Sequence, residues 1–205
     1  MKKISSKTIG RALIYLRTLD GLAKQRWRYV SSGQLARMTG LTDVQIRKDI
    51  SSFRKVGTPK VGYKIADLKR TLEDFVLQEN VVHLVLFGVG NLGSAILKYP
   101  GFHQPKMKLV AAFDQSASKI GKVVNGVRIY SMENVPHVVH RTHGDIGIIA
   151  VPKESAQEAA DLIVLAGLKG IVNFAPASVT VPKGVRVKDI DFTIEFLSLF
   201  CDVRT

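Results

Sequence analysis

The chain has 205 residues, 46% of them hydrophobic, which allows one large domain or two small ones and excludes a large multidomain enzyme, a solenoid array or a predominantly disordered state. Its 30 Lys+Arg against 17 Asp+Glu give a formal charge of +13, and the excess is uneven: residues 1–80 hold 17 basic and 7 acidic side chains, net +10, while the remainder is net +3. A positive field concentrated on the first third attracts polyanions, so nucleic acid or an anionic membrane surface precedes any enzymatic idea for that region.

In chain order, apolar residues at Ile9, Ala12, Leu13, Leu16 and Leu19 have the spacing of a helix with one buried face, weakened beyond Gly21. Residues 30–52 then read as two short helices joined at Gly40, the first capped by Ser32 or Ser31 and the second by Thr42. Leu35, Ala36, Leu41, Val44, Ile46 and Ile50 would pack them together as a helix-turn-helix. Gln45, Arg47, Lys48 and Ser51 or Ser52 are not needed for that core and are the side chains free to meet a major groove. Phe53–Tyr63 reads as a hairpin with a basic tip, a wing for the DNA backbone or minor groove, and Asp67–Gln78 as a connecting helix. Helix pair, wing and charge together point to DNA.

Val81–Phe87 is a nearly unbroken apolar run suited to a strand buried on both faces. Gly88-Val89-Gly90-Asn91-Leu92-Gly93 follows directly, and a helix then runs to Tyr99, where Pro100-Gly101 stops it. A glycine loop between buried strand and helix is the context in which G-x-G-x-x-G has meaning: Gly88 for the turn, Gly90 for close approach of a pyrophosphate, Gly93 for helix-on-strand packing. A second strand over 108–113 ends at Asp114, 21 residues after Gly93, where a carboxylate can accept both ribose hydroxyls of an adenosine and repel the phosphate of NADP. NAD(H) is favoured, with Lys119 and Lys122 arguing the other way. Strands at 127–130, 145–152, 170–174 and 185–187, with a helix over 154–166, complete a doubly wound parallel sheet whose ligand lies at the carboxyl ends of its strands, near Ala150-Val151-Pro152 and Asn173-Phe174-Ala175-Pro176. A coenzyme A-binding domain, or a sheet of this type that binds no dinucleotide, would share the pattern.

Catalytic machinery is not evident. No G-x-S-x-G, P-loop or H-E-x-x-H is present, and residues 192–205 are too few to form the substrate-holding body a dehydrogenase needs. His137, His140 and His143 read as a solvated face, since no fixed carboxylate accompanies them, and no metal is assigned. The single cysteine, Cys201, suits a reducing cytoplasm and reads as a packed thiol in an apolar C-terminal helix. No export signal or membrane span is readable, because Gly10, Arg11 and Arg17 break the first apolar stretch and three glycines with Asn91 break the one over 81–97.

Taken together, Gln45–Ser51, Val61-Gly62-Tyr63, the glycine loop, Tyr99–Phe102, Ala112-Phe113-Asp114, Lys169–Pro176 and Ile190-Asp191-Phe192 resemble the Rex family of bacterial redox-sensing transcriptional repressors, over nearly the whole chain. The resemblance implies an N-terminal winged-helix domain (1–80), a Rossmann-like NADH/NAD+-binding domain (81–191) and a C-terminal dimerisation helix (192–205) able to swap between subunits. It further implies a cytoplasmic homodimer on a palindromic double-stranded operator, released by NADH, with the dinucleotide a ligand and no hydride transferred. Arg47 and Lys48 would meet the groove and its phosphates, and Lys60 the minor groove. Phe174, Pro176 and Phe192 would lie beside the nicotinamide, and Arg17, Tyr99 and Asp191 would form a switch across the dimer. The wing departs from the family, reading Arg54-Lys55-Val56 and Pro59-Lys60 where relatives are richer in glycine. The rival reading is a small NAD-dependent oxidoreductase with a basic appendage.

Overall fold

The structure is a computed structural model that describes residues 6–53, 61–77, 81–104 and 106–204. The wing segment 54–60, including Lys60, lies outside the described residues. The chain divides into two compact units, 1–80 and 81–205.

In the first unit, α1 (Ser6–Lys24) and β1 (Tyr29–Val30) precede the helix pair α2 (Ser32–Thr39) and α3 (Asp43–Phe53), followed by β2 (Tyr63–Lys64) and α4 (Ile65–Leu77). Ser31 caps α2 with a reciprocal box: its hydroxyl accepts from the Gln34 N–H at 3.1 Å while the Gln34 carbonyl oxygen accepts from the Ser31 N–H at 2.7 Å. Gly40, at φ +70°, closes α2 in the left-handed conformation that glycine adopts at little cost, and Thr42 accepts the Gln45 N–H at 3.2 Å to open α3. Leu35, Ile46 and Ile50 are buried against Ala12, Tyr15, Leu19 and Leu22 of α1 and Leu68 and Leu72 of α4. Thus α4 is part of the domain core, not merely a connector.

Three sequence expectations for this core are corrected. Val44 is 68% exposed, and Ile9 and Leu13 also lie at the surface. The buried stripe of α1 is rotated toward Ala12-Tyr15-Leu19-Leu22, because Tyr15 can bury its ring while its hydroxyl finds a carboxylate in the core. As expected, α1 runs past Gly21, to Lys24. Tyr63-Lys64 also pairs antiparallel with Tyr29-Val30, which ties β2 back to the segment before α2.

The second unit is built on β3 (Val82–Phe87), β4 (His103–Gln104), β5 (Met107–Asp114), β6 (Val123–Val124), β7 (Val127–Ser131), β8 (Ile146–Ile149), β9 (Gly170–Asn173) and β10 (Arg186–Asp189), with α5 (Asn91–Lys98), α6 (Val135–Thr142), α7 (Ala156–Leu165) and α8 (Phe192–Arg204). The sheet order is β10-β9-β8-β3-β5-β7-β6; the ladders from β10 to β7 are parallel, while β6 and β4 add antiparallel edges to β7 and β5. Alternation along β3 feeds two core layers. Val85 and Phe87 pack with α6 and α7 through Val135, Val139, Ala159 and Ile163, and Leu84 and Leu86 with α5 through Ile96 and Leu97. Helices on both faces of a mostly parallel sheet make this a doubly wound α/β fold. The chain builds outward from β3 to β5 and β7, then returns to β8 on the other side, so the topological switch lies between β3 and β8.

The last helix differs from the rest. No residue of α8 is buried, and Phe192, Ile194, Phe196, Leu197, Leu199, Phe200 and Val203 are all more than half exposed. Cys201 is exposed with them, which corrects the reading of a packed thiol. Among the described residues no helix is long and apolar enough to cross a membrane.

Candidate functional site

The carboxyl ends of β3, β5 and β8 meet at the switch point and enclose a cleft of about 250 Å³ lined by Gly88, Gly90, Asp114, Gln115, Lys119, Met132, Ala150, Val151, Pro152 and Ser155. Each loop glycine has a different physical reason. Gly88 sits at φ +91°, and a Cβ there would lie 2.6 Å from the Ala150 carbonyl oxygen. A Cβ at Gly93 would run into the carbonyl oxygen of Gly88, so that glycine sets how closely α5 presses on the loop. Gly90 is different: its φ of −75° suits any residue, and a Cβ there would meet no protein atom within 4 Å. The interior does not require glycine at position 90, but an anion drawn onto the α5 N-terminus would, because the extra carbon would occupy its approach. Gly90 is the N-cap of α5 with no side-chain cap, so the first turn keeps N–H groups for such a group.

Asp114 ends β5 inside the cleft. Its Oδ2 accepts the Val89 N–H at 2.8 Å and the Lys119 ammonium at 3.1 Å, and its Oδ1 accepts the Ser116 N–H at 2.8 Å. Burial alone would raise this carboxyl; the Ser116 and Val89 N–H donors and Lys119 outweigh it and hold the pKa below the usual carboxylate range. A carboxylate offers about four lone-pair directions, of which the chain itself uses three. Of these three the two backbone donors are fixed by the fold, whereas Lys119 is more than a third exposed and its contact is exchangeable. Val89 likewise spends its N–H on Asp114, whereas Asn91 and Leu92 are exposed at the start of α5.

Phe174 and Pro176 do not line this cleft. Phe174 packs at 6.2 Å between ring centroids from Phe192, the first residue of α8. Their loop is shaped by Asn173, fully buried at the end of β9: its Oδ1 accepts the Ala175 N–H at 3.0 Å, and its Nδ2 donates to the Ala177 carbonyl at 2.7 Å and to Asp189 at 2.8 Å. Gln115, Met132 and Ser155 line the cleft and were not singled out from sequence, whereas Asn173 was expected at a strand end near the ligand. Tyr99 caps α5, exposed, its ring edge-on to Phe102 at 5.4 Å. Asp191 caps α8 by accepting the Thr193 N–H at 2.8 Å, and Arg17 is exposed on α1. His137 and His140 are exposed on α6 while His143 turns away at a left-handed C-cap, and among the described residues no group of three or more His, Cys, Asp or Glu gathers for a metal.

The second surface is α3. Arg47 is exposed and pairs with Asp43 one turn back at 2.7 Å, an exchangeable contact worth little in water. Lys48 and Ser51 are exposed, with the Ser51 hydroxyl donating to the Lys48 carbonyl at 2.8 Å. Gln45 is half-buried, and its amide donates to Asp49 at 2.8 Å. Asp49, unremarked in the sequence reading, is 3% exposed; it also takes Arg11 through two nitrogens at 2.6 and 2.8 Å and the Tyr15 hydroxyl at 2.8 Å. Burial works to raise its carboxyl, yet Arg11, Tyr15 and Gln45 together hold it below the ordinary range, while burial and then Asp49 push the Tyr15 hydroxyl up. The charge is thus a buried, paired one that ties α3 to α1.

Comparison with known proteins bears on both surfaces. Residues 3–51 match the family described as "Putative DNA-binding protein N-terminus", and residues 79–177 match the family described as "CoA binding domain". The chain is 38% identical to the redox-sensing transcriptional repressor Rex of Carboxydothermus hydrogenoformans, over 98% of this chain and 97% of that one. It is 41% identical to the Rex repressor of Thermus thermophilus over 93% and 89%. Among solved structures, RSP in complex with β-NAD+ and operator DNA superposes with a TM-score of 0.87 at 30% identity, covering 99% of this chain and 94% of that one. RSP in complex with β-NADH gives 0.86 at the same identity, covering 99% and 95%.

Proposed function

The chain belongs to the Rex family of redox-sensing transcriptional repressors, and from that premise we propose that it is a homodimeric repressor whose operator affinity is set by which form of NAD(H) occupies the switch-point cleft. The observation that carries the reading is Gly90: a glycine that the protein interior does not require, at an uncapped helix start, facing a cleft with a carboxylate opposite. Those features suit an adenosine diphosphate, with the loop 88–93 and the α5 N–H groups on the diphosphate and Asp114 on a ribose hydroxyl. Val151 and Pro152 bound the far wall, and Phe174, Pro176 and Phe192 form an apolar flank for the nicotinamide. Reduction of the bound group removes one positive charge and the planarity of its ring.

Asp191, which caps α8, and Phe192, whose ring lies near Phe174, convert that difference into a shift of α8, coupled to Arg17 and Tyr99 across the dimer; the cap and the ring contact support the reading. The apolar face of α8 supplies the dimer contact, and residues 1–80, 81–191 and 192–205 act as DNA-binding, dinucleotide-binding and dimerisation parts. Gln45, Arg47, Lys48 and Ser51 of α3, with Lys60 of the wing, form the DNA surface. NADH turns the two recognition helices away from half-sites spaced by whole helical turns of about 34–36 Å.

Operator binding tests this at fixed salt: NADH is expected to release the duplex and NAD+ to leave it bound, and no effect of either would refute the switch. The CoA-type match over residues 79–177 specifies the control, because coenzyme A shares the adenosine diphosphate half. A rise in melting temperature with coenzyme A and none with NADH would overturn the ligand assignment. Steady loss of NADH with a carbonyl substrate would make the protein an oxidoreductase.

A further inference from the structure

Gln45 is the third residue of α3, in the part of a recognition helix that meets base edges, and the structure leaves its amide only one orientation. Beneath it lies Asp49, almost fully buried, bonded to Arg11 through two nitrogens and to the Tyr15 hydroxyl. A carboxylate so paired has no proton to give, so only the NH2 end of Gln45 can face it, as the 2.8 Å bond from Nε2 to Oδ1 records. The carbonyl oxygen Oε1 is therefore the end turned from the core, and it has no partner among the described residues.

We propose that Asp49 is a positioning residue for sequence readout: by holding the amide of Gln45 it presents a fixed acceptor to the groove, so that Gln45 reads a base pair through an exocyclic amino group, adenine N6 or cytosine N4, and rejects the carbonyl of guanine or thymine. The proposal rests on the reading of α3 as the DNA-contacting helix. Every base pair carries one amino and one carbonyl group in the major groove, so an acceptor locked in place distinguishes which strand of the pair carries the amino group, adenine or cytosine against guanine or thymine. A glutamine free to rotate would accept from the amino group or donate to the carbonyl.

The test is a selection from randomised duplexes with the full-length wild type and Gln45→Met, which keeps Arg11, Tyr15 and Asp49 bonded to one another. One pair in each half-site is expected to lose its preference in Gln45→Met, the others keeping theirs. At that pair two operators are then compared: one lacking the amino group (purine for adenine, 2-pyrimidinone for cytosine) and one lacking the carbonyl (2-aminopurine for guanine, 5-methyl-2-pyrimidinone for thymine). Removing the amino group should weaken the wild type about tenfold more than it weakens Gln45→Met, whereas removing the carbonyl should affect both alike. Asp49→Asn should shrink that amino-group discrimination; a purely structural Asp49 would weaken every pair equally. If the carbonyl is the group whose loss depends on Gln45, or if no pair changes in Gln45→Met, the proposal is wrong. Failure of the wild type to enrich any sequence would remove the DNA reading beneath it, a different and recognisable result.

Discussion

Asp49 shows how one buried charge organises a small domain. It accepts four hydrogen bonds from Arg11, Tyr15 and Gln45, joining the first helix to the third where apolar packing alone would leave their angle looser. Removing one partner of such a group is costly because the others stay behind: Asp49→Ala strands the buried Tyr15 hydroxyl and frees the partly exposed Arg11, and should cost about 1–3 kcal/mol. Trp27 is the only tryptophan and lies in this unit, so its fluorescence during urea unfolding reads the loss directly. The carboxyl also sets a pH signature. Its folded pKa is depressed, so the unfolded chain takes up the proton first as pH falls; the stabilisation is complete above about pH 5 and is lost as pH drops through 4 toward the folded value. The acid limb of the Trp27 transition should flatten in Asp49→Asn. None of this was visible in the sequence, where Asp49 stands among Arg47, Lys48 and Ser51 as one more polar residue of an exposed face. Its partners on the first helix, Tyr15 and Arg11, are 34 and 38 residues away, and only the folded helix packing brings them together.

At the level of elements, sequence reading succeeded where pattern and chemistry agree. The glycine loop was legible because a buried strand, a turn glycine and a helix follow one another within a dozen residues, and Gly40 because a helix pair needs a left-handed turn there. Val44, Ile9 and Leu13 were misread because helical spacing gives the width of an apolar stripe without its exact rotation; Tyr15, polar at its tip, carries the core that Leu13 was expected to carry. The small antiparallel strands β4 and β6 were missed because two-residue elements have no periodicity to read. The loop glycines separate folding from binding. Gly93→Ala places a carbon against the Gly88 carbonyl and should lower the melting temperature by several degrees, a cost of roughly 2 kcal/mol. Gly90→Ala should leave stability within about 0.5 kcal/mol while weakening NADH binding at least tenfold by calorimetry. The α8 face makes a parallel prediction. Phe196, 72% exposed in the single chain, should be covered in a dimer, so Phe196→Glu is expected to give a monomer by light scattering without lowering the melting temperature of the Rossmann-like unit.

For the molecule as a whole, the uneven charge divides along the same line as the contacts: a net +10 on residues 1–80, which carry α3, and a nearly balanced remainder that carries the cleft. A DNA surface and a dinucleotide cleft in separate compact units require a single coupling free energy between them, and such coupling is reciprocal. The central measurement is therefore the affinity for NADH, by calorimetry at one salt concentration, with and without saturating operator, set beside the affinity for operator with and without saturating NADH. The account predicts that the operator weakens NADH by the same factor by which NADH weakens the operator, between about 5- and 150-fold. Equal NADH affinity for the free and the DNA-bound protein would contradict it.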